Sequence, residues 1–391
     1  MNILWFSNAP WAHTGYANQT DMFWWRIQQL GHKVTLGANY GLAGAPLNIE
    51  RNGQETRVLP SGMTVHGNDI VGAHARQVDA DIVVTLYDSW VFDNTITSKF
   101  RWCPWLPVDH LQVPEPVAQA LKTAWQPIAY SKFGQAALKD AGIDALYVPH
   151  GVETNVFTPQ DRDKARESLK LQRDDIDFLA VMVAANKGLP SRKSFCEVLY
   201  AWAEFVKDHP KAMLYLHTHA GPQMAGEDLI ERIRQLGIPK ENVIFCDPYW
   251  YTLGYSSAYM ARLYSAADVL VNPATGEGFG IPIVEAQACG CPVIVSDWTS
   301  MPELCFAGWK VEGEPFPTPH GWQKRPLVGA IHSALCAAYD KRNYDKLRRD
   351  ARKGALAYDA DLVAEKYWKP ALEQIAGDLD GGELVDLGAG A

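Results

Sequence analysis

Short apolar runs alternate with stretches of helical period along nearly the whole chain, the pattern of repeated strand–helix units and a parallel sheet. Ile3–Phe6 reads as a first strand, Thr20–Leu30 as a helix closed by Gly31, and Lys33–Leu36 as the next strand. Asp81–Leu86, Pro104–Leu106, Ile128–Tyr130 and Leu146–Val148 read as further strands. The alternation pauses over Gly151–Asp175, where Pro159 and a charge-rich stretch suit a linker with a short helix. It resumes with strands at Phe178–Val183, Met213–Leu216, Val243–Phe245, Val269–Val271 and Pro292–Val295, and helices at Lys193–Lys207 and Gly226–Leu236. Helical segments from about Arg325 to Ile375 finish the pattern. The expected class is α/β, with two successive open units binding ligand at the carboxyl ends of their strands.

Length and charge refine this. At 391 residues the chain exceeds what one core supports, so two domains are expected. The N-terminus lacks the basic start and apolar stretch of a signal peptide, and no window reaches the roughly 18 to 20 apolar residues of a membrane span, so a cytoplasmic protein is expected. The seven cysteines form no Cys-x-x-Cys pair and read as reduced thiols. A formal charge of -9 argues against a broad grip on nucleic acid. Residues 1–170 carry 14 basic and 16 acidic side chains, however, so an anionic acceptor on the first domain stays open. After Ala376 come Asp378, Asp380, Glu383 and Asp386 with no basic residue, and this acidic, Gly-rich tail is expected to be disordered.

The chemistry concentrates in Asn272–Val295. A strand ends near Asn272, a loop follows with Gly276, Gly278 and Gly280, and a helix starts near Ile281 with Pro282 in its first turn. Glycines let the backbone approach a ligand, and the free N–H groups of a helix start favour an anion such as a diphosphate. Glu277 on the loop and Glu285 in the helix are carboxylates able to accept from vicinal hydroxyls, one suited to a sugar and the other to ribose. Read without a ligand, the same glutamates would simply favour a helix N-terminus.

Glu277 and Glu285, set in Gly-Glu-Gly-Phe-Gly-Ile-Pro-Ile-Val-Glu-Ala, resemble the donor-site signature of the family 4 retaining glycosyltransferases of the GT-B fold. The flanking Leu263-Tyr264-Ser265-Ala266-Ala267-Asp268-Val269, Cys289-Gly290-Cys291-Pro292-Val293-Ile294 and Pro302-Glu303-Leu304 are similar too, as is Val148-Pro149-His150-Gly151-Val152-Glu153 followed by Phe157 and Pro159. The resemblance implies two Rossmann-like domains facing each other across a cleft: residues 1–165 on the acceptor side, 166–355 binding the nucleotide sugar, a helix over 356–376 returning to the first domain, and the tail 377–391. It implies donor contacts from Gly278, Phe279, Gly280 and Ile281 beside the two glutamates. It further implies two cations for the diphosphate where the family usually has an Arg, five residues and a Lys. Lys187 and Lys193 have that spacing, with Lys in the place of Arg, and Arg192 is the alternative fork. His110, after Pro107-Val108-Asp109, resembles the family's active-site histidine, with Asp109 sharing the site as a less favoured nucleophile. Gly15, near a helix start in the first domain, is expected to approach the diphosphate, and His13 is a weaker candidate.

Other signals are discounted. Asp79-Ala80-Asp81 fits an Asp-x-Asp metal motif, but so do Asp161–Asp163, Asp359–Asp361 and Asp378–Asp380. His217 and His219 share a face without a third ligand, and Tyr249-Trp250-Tyr251 reads as a packed loop. The resulting expectation is a metal-independent transferase without cofactor, taking a nucleotide diphosphate sugar as co-substrate and stabilising its leaving group with Lys187, Arg192, Lys193 and a helix N-terminus. A sugar-nucleotide epimerase or donor hydrolase, and a non-catalytic nucleotide-sugar binding protein, are the alternatives. The acceptor stays open. The opening Ser7–Trp11, Thr14–Tyr16 and Asn18–Thr20 are similar to phage-type members of the family, which makes a hydroxylated DNA base one candidate.

Overall fold

A computed structural model describes residues 1–171, 176–222 and 225–381. The chain forms two compact units, the first of Met1–Val108, Gln112–Gly151 and the segment from Ala360 onward, the second of Asp109–Leu111 and Val152–Asp359. The boundary therefore falls at Gly151/Val152, earlier than the expected 165, and the return to the first unit begins at Ala360 rather than 356. The last helix, Lys369–Gly381, runs through the first five residues of the stretch expected to be a disordered tail. The rest of that stretch, 382–391, lies outside the described residues.

Among the described residues the first unit holds an eight-stranded sheet of β1 (Asn2–Asn8), β2 (Lys33–Tyr40), β3 (Leu47–Arg51), β4 (Gln54–Leu59), β5 (Ile82–Leu86), β6 (Trp102–Leu106), β7 (Ile128–Ala129) and β8 (Leu146–Tyr147), in the order β3-β4-β2-β1-β5-β6-β7-β8. All neighbours are parallel except the hairpin pair β3 and β4. β5 and β6 are buried along their whole length, as central parallel strands covered on both faces must be. β3 was not foreseen, because Leu47-Asn48-Ile49-Glu50-Arg51 is an edge strand with little buried surface and hence little apolar signal. The helix Gly15–Gln29 starts five residues before the expected Thr20, capped by Thr14, whose hydroxyl accepts from the Ala17 amide at 3.1 Å.

An aromatic cluster ties the returning C-terminal segment into this unit. The Trp368 ring lies 4.9 Å from Trp105, 5.4 Å from Trp5 and 6.1 Å from Phe23, and all four side chains are fully buried. His150 packs 4.1 Å from Tyr130 and 4.5 Å from Trp105, and burial there holds its pKa down to about 3, so the imidazole is neutral.

The second unit holds β9 (Phe178–Val183), β10 (Ala212–His217), β11 (Val243–Phe245), β12 (Val269–Asn272), β13 (Val293–Ser296) and β14 (Gly308–Val311) in the parallel order β11-β10-β9-β12-β13-β14. Its core gathers Phe178, Trp202, Phe205, Leu214, Val269 and Leu335, contributed by β9, β10, β12 and the helices Phe195–Asp208 and Val328–Asp340. Asp268, buried at the start of β12, pairs with Arg162 at 2.9 Å and Arg166 at 2.8 Å, which fastens the helix Arg162–Ser168 to this unit. A separate antiparallel hairpin, β15 (Gly313–Thr318) and β16 (Gly321–Pro326), occupies a stretch whose end, from Arg325, was expected to be helical.

Replacing Trp368 with Ala empties the centre of the aromatic cluster. Denaturant unfolding should show a loss of about 3–5 kcal/mol, with the far-ultraviolet dichroism of the folded state retained.

Candidate functional site

The site of the second unit is built where β12 stops. Gly280 leaves the strand–helix turn with a φ of +111°, which an L side chain rarely adopts, and serves as N-cap of the helix Ile281–Ala288. Pro282 stands in the first turn, where its missing N–H costs little. The loop itself is latched by the segment after β13. The Ser300 hydroxyl donates to the Glu277 carbonyl at 2.8 Å and lies 2.7 Å from that of Phe279. Thr299 Oγ1 accepts from the Glu277 amide at 3.2 Å, and Trp298 Nε1 donates to the Thr275 carbonyl at 2.8 Å.

Glu277 is buried, and both its oxygens are engaged. Lys193 Nζ donates to Oε1, and Arg192 Nη1 lies 3.2 Å from Oε2 while also donating to the Gly276 carbonyl. Burial pushes the Glu277 carboxyl upward, but Lys193 and Arg192 outweigh it and hold the pKa below the ordinary value, so the group is ionised. Burial and the neighbouring Arg192 bring the Lys193 pKa down, with Glu277 acting against them. Each carboxylate oxygen has two lone pairs, so Glu277 keeps acceptor capacity beyond these cations.

Asp109 and His110 join the same constellation. Arg192 Nη1 is 3.7 Å from Asp109 Oδ2, and Asp109 Oδ1 is 2.8 Å from His110 Nδ1. Burial opposes ionisation of Asp109, but the hydrogen bond with His110 and the charge of Arg192 prevail and its pKa is lowered. An ionised carboxylate only accepts, so the His110 proton is assigned to Nδ1 and Nε2 faces Thr318 Oγ1 at 2.9 Å. The hairpin fixes this segment: Gln323 Nε2 donates to the Asp109 carbonyl at 3.1 Å, its Oε1 accepts from Thr275 at 2.7 Å, and the Leu111 amide donates to the Trp322 carbonyl at 2.8 Å. A Cβ at Gly276 would lie 2.0 Å from the Asp109 carbonyl oxygen, so only glycine fits there.

Glu285, one helix turn past the loop, accepts from the buried Tyr264 hydroxyl at 3.0 Å, and burial raises its pKa to about 7. Tyr264 comes from the segment preceding β12.

Asp109, His110, Arg192, Lys193 and Glu277 are thus brought together, with Gly278, Phe279, Gly280 and Ile281 on the same turn. Other candidates sit differently. Lys187 is exposed on the loop after β9, and Arg192, the alternative, contacts Glu277. Lys193 lies just ahead of the helix Phe195–Asp208 rather than inside it, because Ser194 at φ +57° is the N-cap. The Phe279 ring packs 5.7 Å from Tyr358, and its carbonyl accepts from the Ser300 hydroxyl at 2.7 Å. Gly15 and His13 belong to the first unit, Gly15 as the exposed first residue of its helix.

Thr318, Gln323, Thr299 and Ser300 escaped sequence reading because polar side chains on loops carry no period. Asn186 escaped likewise: buried after β9, it donates to the Glu227 carbonyl at 2.7 Å and accepts from the Glu227 amide at 2.9 Å. Three of the Asp-x-Asp pairs hold structural posts, Asp81 accepting from the Asn2 amide at 2.6 Å, Asp161 capping a helix and Asp361 pairing with Arg26 at 2.7 Å. Among the described residues no three His, Cys, Asp or Glu side chains cluster as metal ligands, and no helix is long and apolar enough to cross a membrane.

Over 96% of its length the chain superposes on 99% of sucrose-phosphate synthase from Thermosynechococcus elongatus with a TM-score of 0.73 at 19% identity. Over 95% it superposes on all of the Anabaena protein HepE, solved in complex with UDP-glucose, with a TM-score of 0.68 at 16% identity. The fold is GT-B, the two-domain glycosyltransferase architecture. Residues 180–319 match the family described as Glycosyl transferases group 1. The chain is 33% identical to D-inositol 3-phosphate glycosyltransferase of Rhodococcus erythropolis over 231 residues, 58% of this chain and 48% of that protein. It is 31% identical to the protein of that name from Actinosynnema mirum over 163 residues, 40% of this chain and 36% of that one. The matches thus span about half or less of these relatives. The stretch that matches the group 1 glycosyl transferases lies wholly in the second unit.

The folded-state pKa of Glu285 lies above its ordinary 4.5, so the folded protein holds an extra proton between there and about 7. Its contribution to stability is complete below the ordinary value and is lost as pH rises through the folded one. Urea midpoints should fall over that window and fall less steeply in Glu285→Gln; identical slopes would show that Glu285 does not titrate there.

Proposed function

We propose that the chain is a retaining, metal-independent glycosyltransferase that moves a sugar from a nucleoside diphosphate sugar to a hydroxyl acceptor. The observation that carries this reading is the buried Glu277 carboxylate held between Lys193 and Arg192 at a glycine turn that opens a helix. Two cations beside the glycine turn that opens a helix suit a leaving diphosphate, and an ionised acceptor-only carboxylate suits the hydroxyls of the sugar. In this reading Glu285, one turn further, takes the ribose diol. The UDP-glucose of the HepE complex is the kind of donor this chemistry takes.

In the proposed reaction the bond from the anomeric carbon to the diphosphate breaks as Arg192, Lys193 and the helix start stabilise the charge that develops. The acceptor oxygen bonds to that carbon on the same face, and its proton leaves on the departing phosphate. His110, oriented by Asp109 and Thr318, stands beside the donor sugar. Lys187 is a second-rank candidate for the diphosphate, and Gly15 a candidate from the first unit. The protein acts in the cytoplasm.

Glu277→Gln should lower transfer from the accepted donor by about 10²-fold or more, with thermal melting below that of the wild type because two cations lose their shared carboxylate, yet still cooperative; near-normal turnover removes Glu277 from the reaction. Chelation with EDTA should leave the rate unchanged, and nuclear magnetic resonance of the product should show the donor's anomeric configuration. Thr318→Val takes away a hydrogen bond to His110 without touching the diphosphate cations. It should reduce kcat about tenfold, a loss of roughly 1.4 kcal/mol in transition-state stabilisation, with donor affinity unchanged.

A further inference from the structure

We propose that the second unit carries, independently of the reaction proposed above, a second anion site that takes a small phosphate monoester in a cavity lined by arginines. The cavity measures about 340 Å³ and is lined by Gln160, Arg162, Arg342, Asn343, Asp345 and Arg348, all within this unit. Its place sets it apart from the turn that carries Glu277. Arg162 pairs with Asp268, immediately before β12, and Arg348 Nη1 and Nη2 donate to the carbonyls of Ala267 and Ser265 at 3.0 and 3.1 Å. Those residues lead into β12, whereas the Glu277 turn follows its last residue, Asn272. The two places therefore lie at opposite ends of a four-residue strand, about 13 Å apart at roughly 3.3 Å per residue.

The guanidinium groups are fixed but not exhausted. Arg162 Nη1 is shared between Asp268 and the Arg342 carbonyl, and its Nη2 donates to Asn343 Oδ1 at 3.2 Å. Arg342 Nη1 donates to the Tyr339 carbonyl at 2.7 Å, and its guanidinium carbon lies 3.8 Å from the centre of the Tyr339 ring. A guanidinium has five N–H donors, and among the described residues these bonds occupy three on Arg162, two on Arg348 and one on Arg342. Each side chain is thus held in place and keeps donors for a further acceptor, so an anion binds without first ordering them. All three are half-buried, which shields a bound anion in part from water and strengthens its charge-assisted hydrogen bonds.

Charge and size select the occupant. Arg162, Arg166, Arg342 and Arg348 stand here against Asp268 and Asp345, which leaves two positive charges. Residues 341–353 carry seven Lys and Arg against two Asp, in a chain whose formal charge is -9. A dianion neutralises such a site, and a phosphate monoester is close to one at neutral pH. Its oxygens match the fork of a guanidinium. The amides of Gln160 and Asn343 add donors and acceptors for hydroxyl groups on the rest of the molecule. The volume exceeds what a bare phosphate fills and lies at the lower end of the roughly 300–1,000 Å³ of small-molecule sites. A concave place of this size suits a free small molecule better than a flat layer of lipid headgroups or a nucleic-acid backbone.

The test is calorimetric titration of the full chain with glycerol 2-phosphate and with inorganic phosphate, in the absence of UDP and in its excess. With UDP in excess, one site per chain should remain for each probe. Arg342→Gln removes one charge and leaves the bonds of Arg162 and Arg348 before β12 in place; it should weaken both probes about tenfold or more, with the melting of the ligand-free chain nearly unchanged. Asp345→Asn removes the opposing carboxylate and should tighten both probes severalfold, a gain that a merely structural role would not produce. Absence of binding, full displacement by UDP, affinities indifferent to Arg342→Gln, or weaker binding in Asp345→Asn overturns the proposal. Retention on phosphatidic acid vesicles or duplex DNA without binding of glycerol 2-phosphate also overturns it, by making the patch a surface for a polyanion. A chain that binds no UDP but binds glycerol 2-phosphate through Arg342 removes the glycosyltransferase reading and leaves this site standing.

Discussion

The second unit depends on a buried carboxylate that two cations share. Taking Glu277 out of water is costly and Lys193 and Arg192 repel each other; the two cations offset the first cost and the carboxylate they share offsets the second. Removing one partner of such a buried pair commonly costs about 3–5 kcal/mol. The constraint reaches past the three residues. Arg192 also binds the Gly276 carbonyl and faces Asp109, and Asp109 is fastened through Gln323 to Thr275, on the loop that carries Glu277. The network closes on itself, which fixes side chains on segments more than a hundred residues apart.

Around that network the backbone is arranged with little freedom. Gly276 leaves no room for a Cβ against the Asp109 carbonyl, and Gly280 supplies the positive φ that turns the strand end into the helix. Thr299 and Ser300 take up the polar groups of the loop from one side, and the hairpin β15–β16 takes up those of Asp109–Leu111 from the other. In the proposed reaction, preorganisation of this kind would let fixed dipoles and charges act on a developing diphosphate without reorganising.

The alternation of apolar runs made most strands of both sheets legible, because buried strands must be apolar throughout, though β4 and β14 were not foreseen; the glycine turn with Glu277 and Glu285 was legible because its spacing reflects a single local geometry. What the sequence hid was non-local. β3 lies on an exposed edge and β15–β16 carry Pro315, Pro317 and charged residues in place of an alternating apolar face, so neither announces itself. Thr318 and Gln323 matter only because the fold carries them to His110 and Asp109, some two hundred residues earlier. Choosing between Lys187 and Arg192 was likewise beyond spacing: one lies exposed on its loop and the other points at Glu277, a difference set by the turn before the helix Phe195–Asp208.

The most direct measurement is thermal melting of the wild-type chain and of Lys193→Ala with UDP, other nucleoside diphosphates and the matching monophosphates. A diphosphate at a hundred times its dissociation constant should stabilise the wild type by about 2.7 kcal/mol, the monophosphates should do much less, and Lys193→Ala should lose most of the difference. Equal stabilisation by mono- and diphosphates, or a response that Lys193→Ala leaves intact, would contradict a diphosphate held beside Glu277.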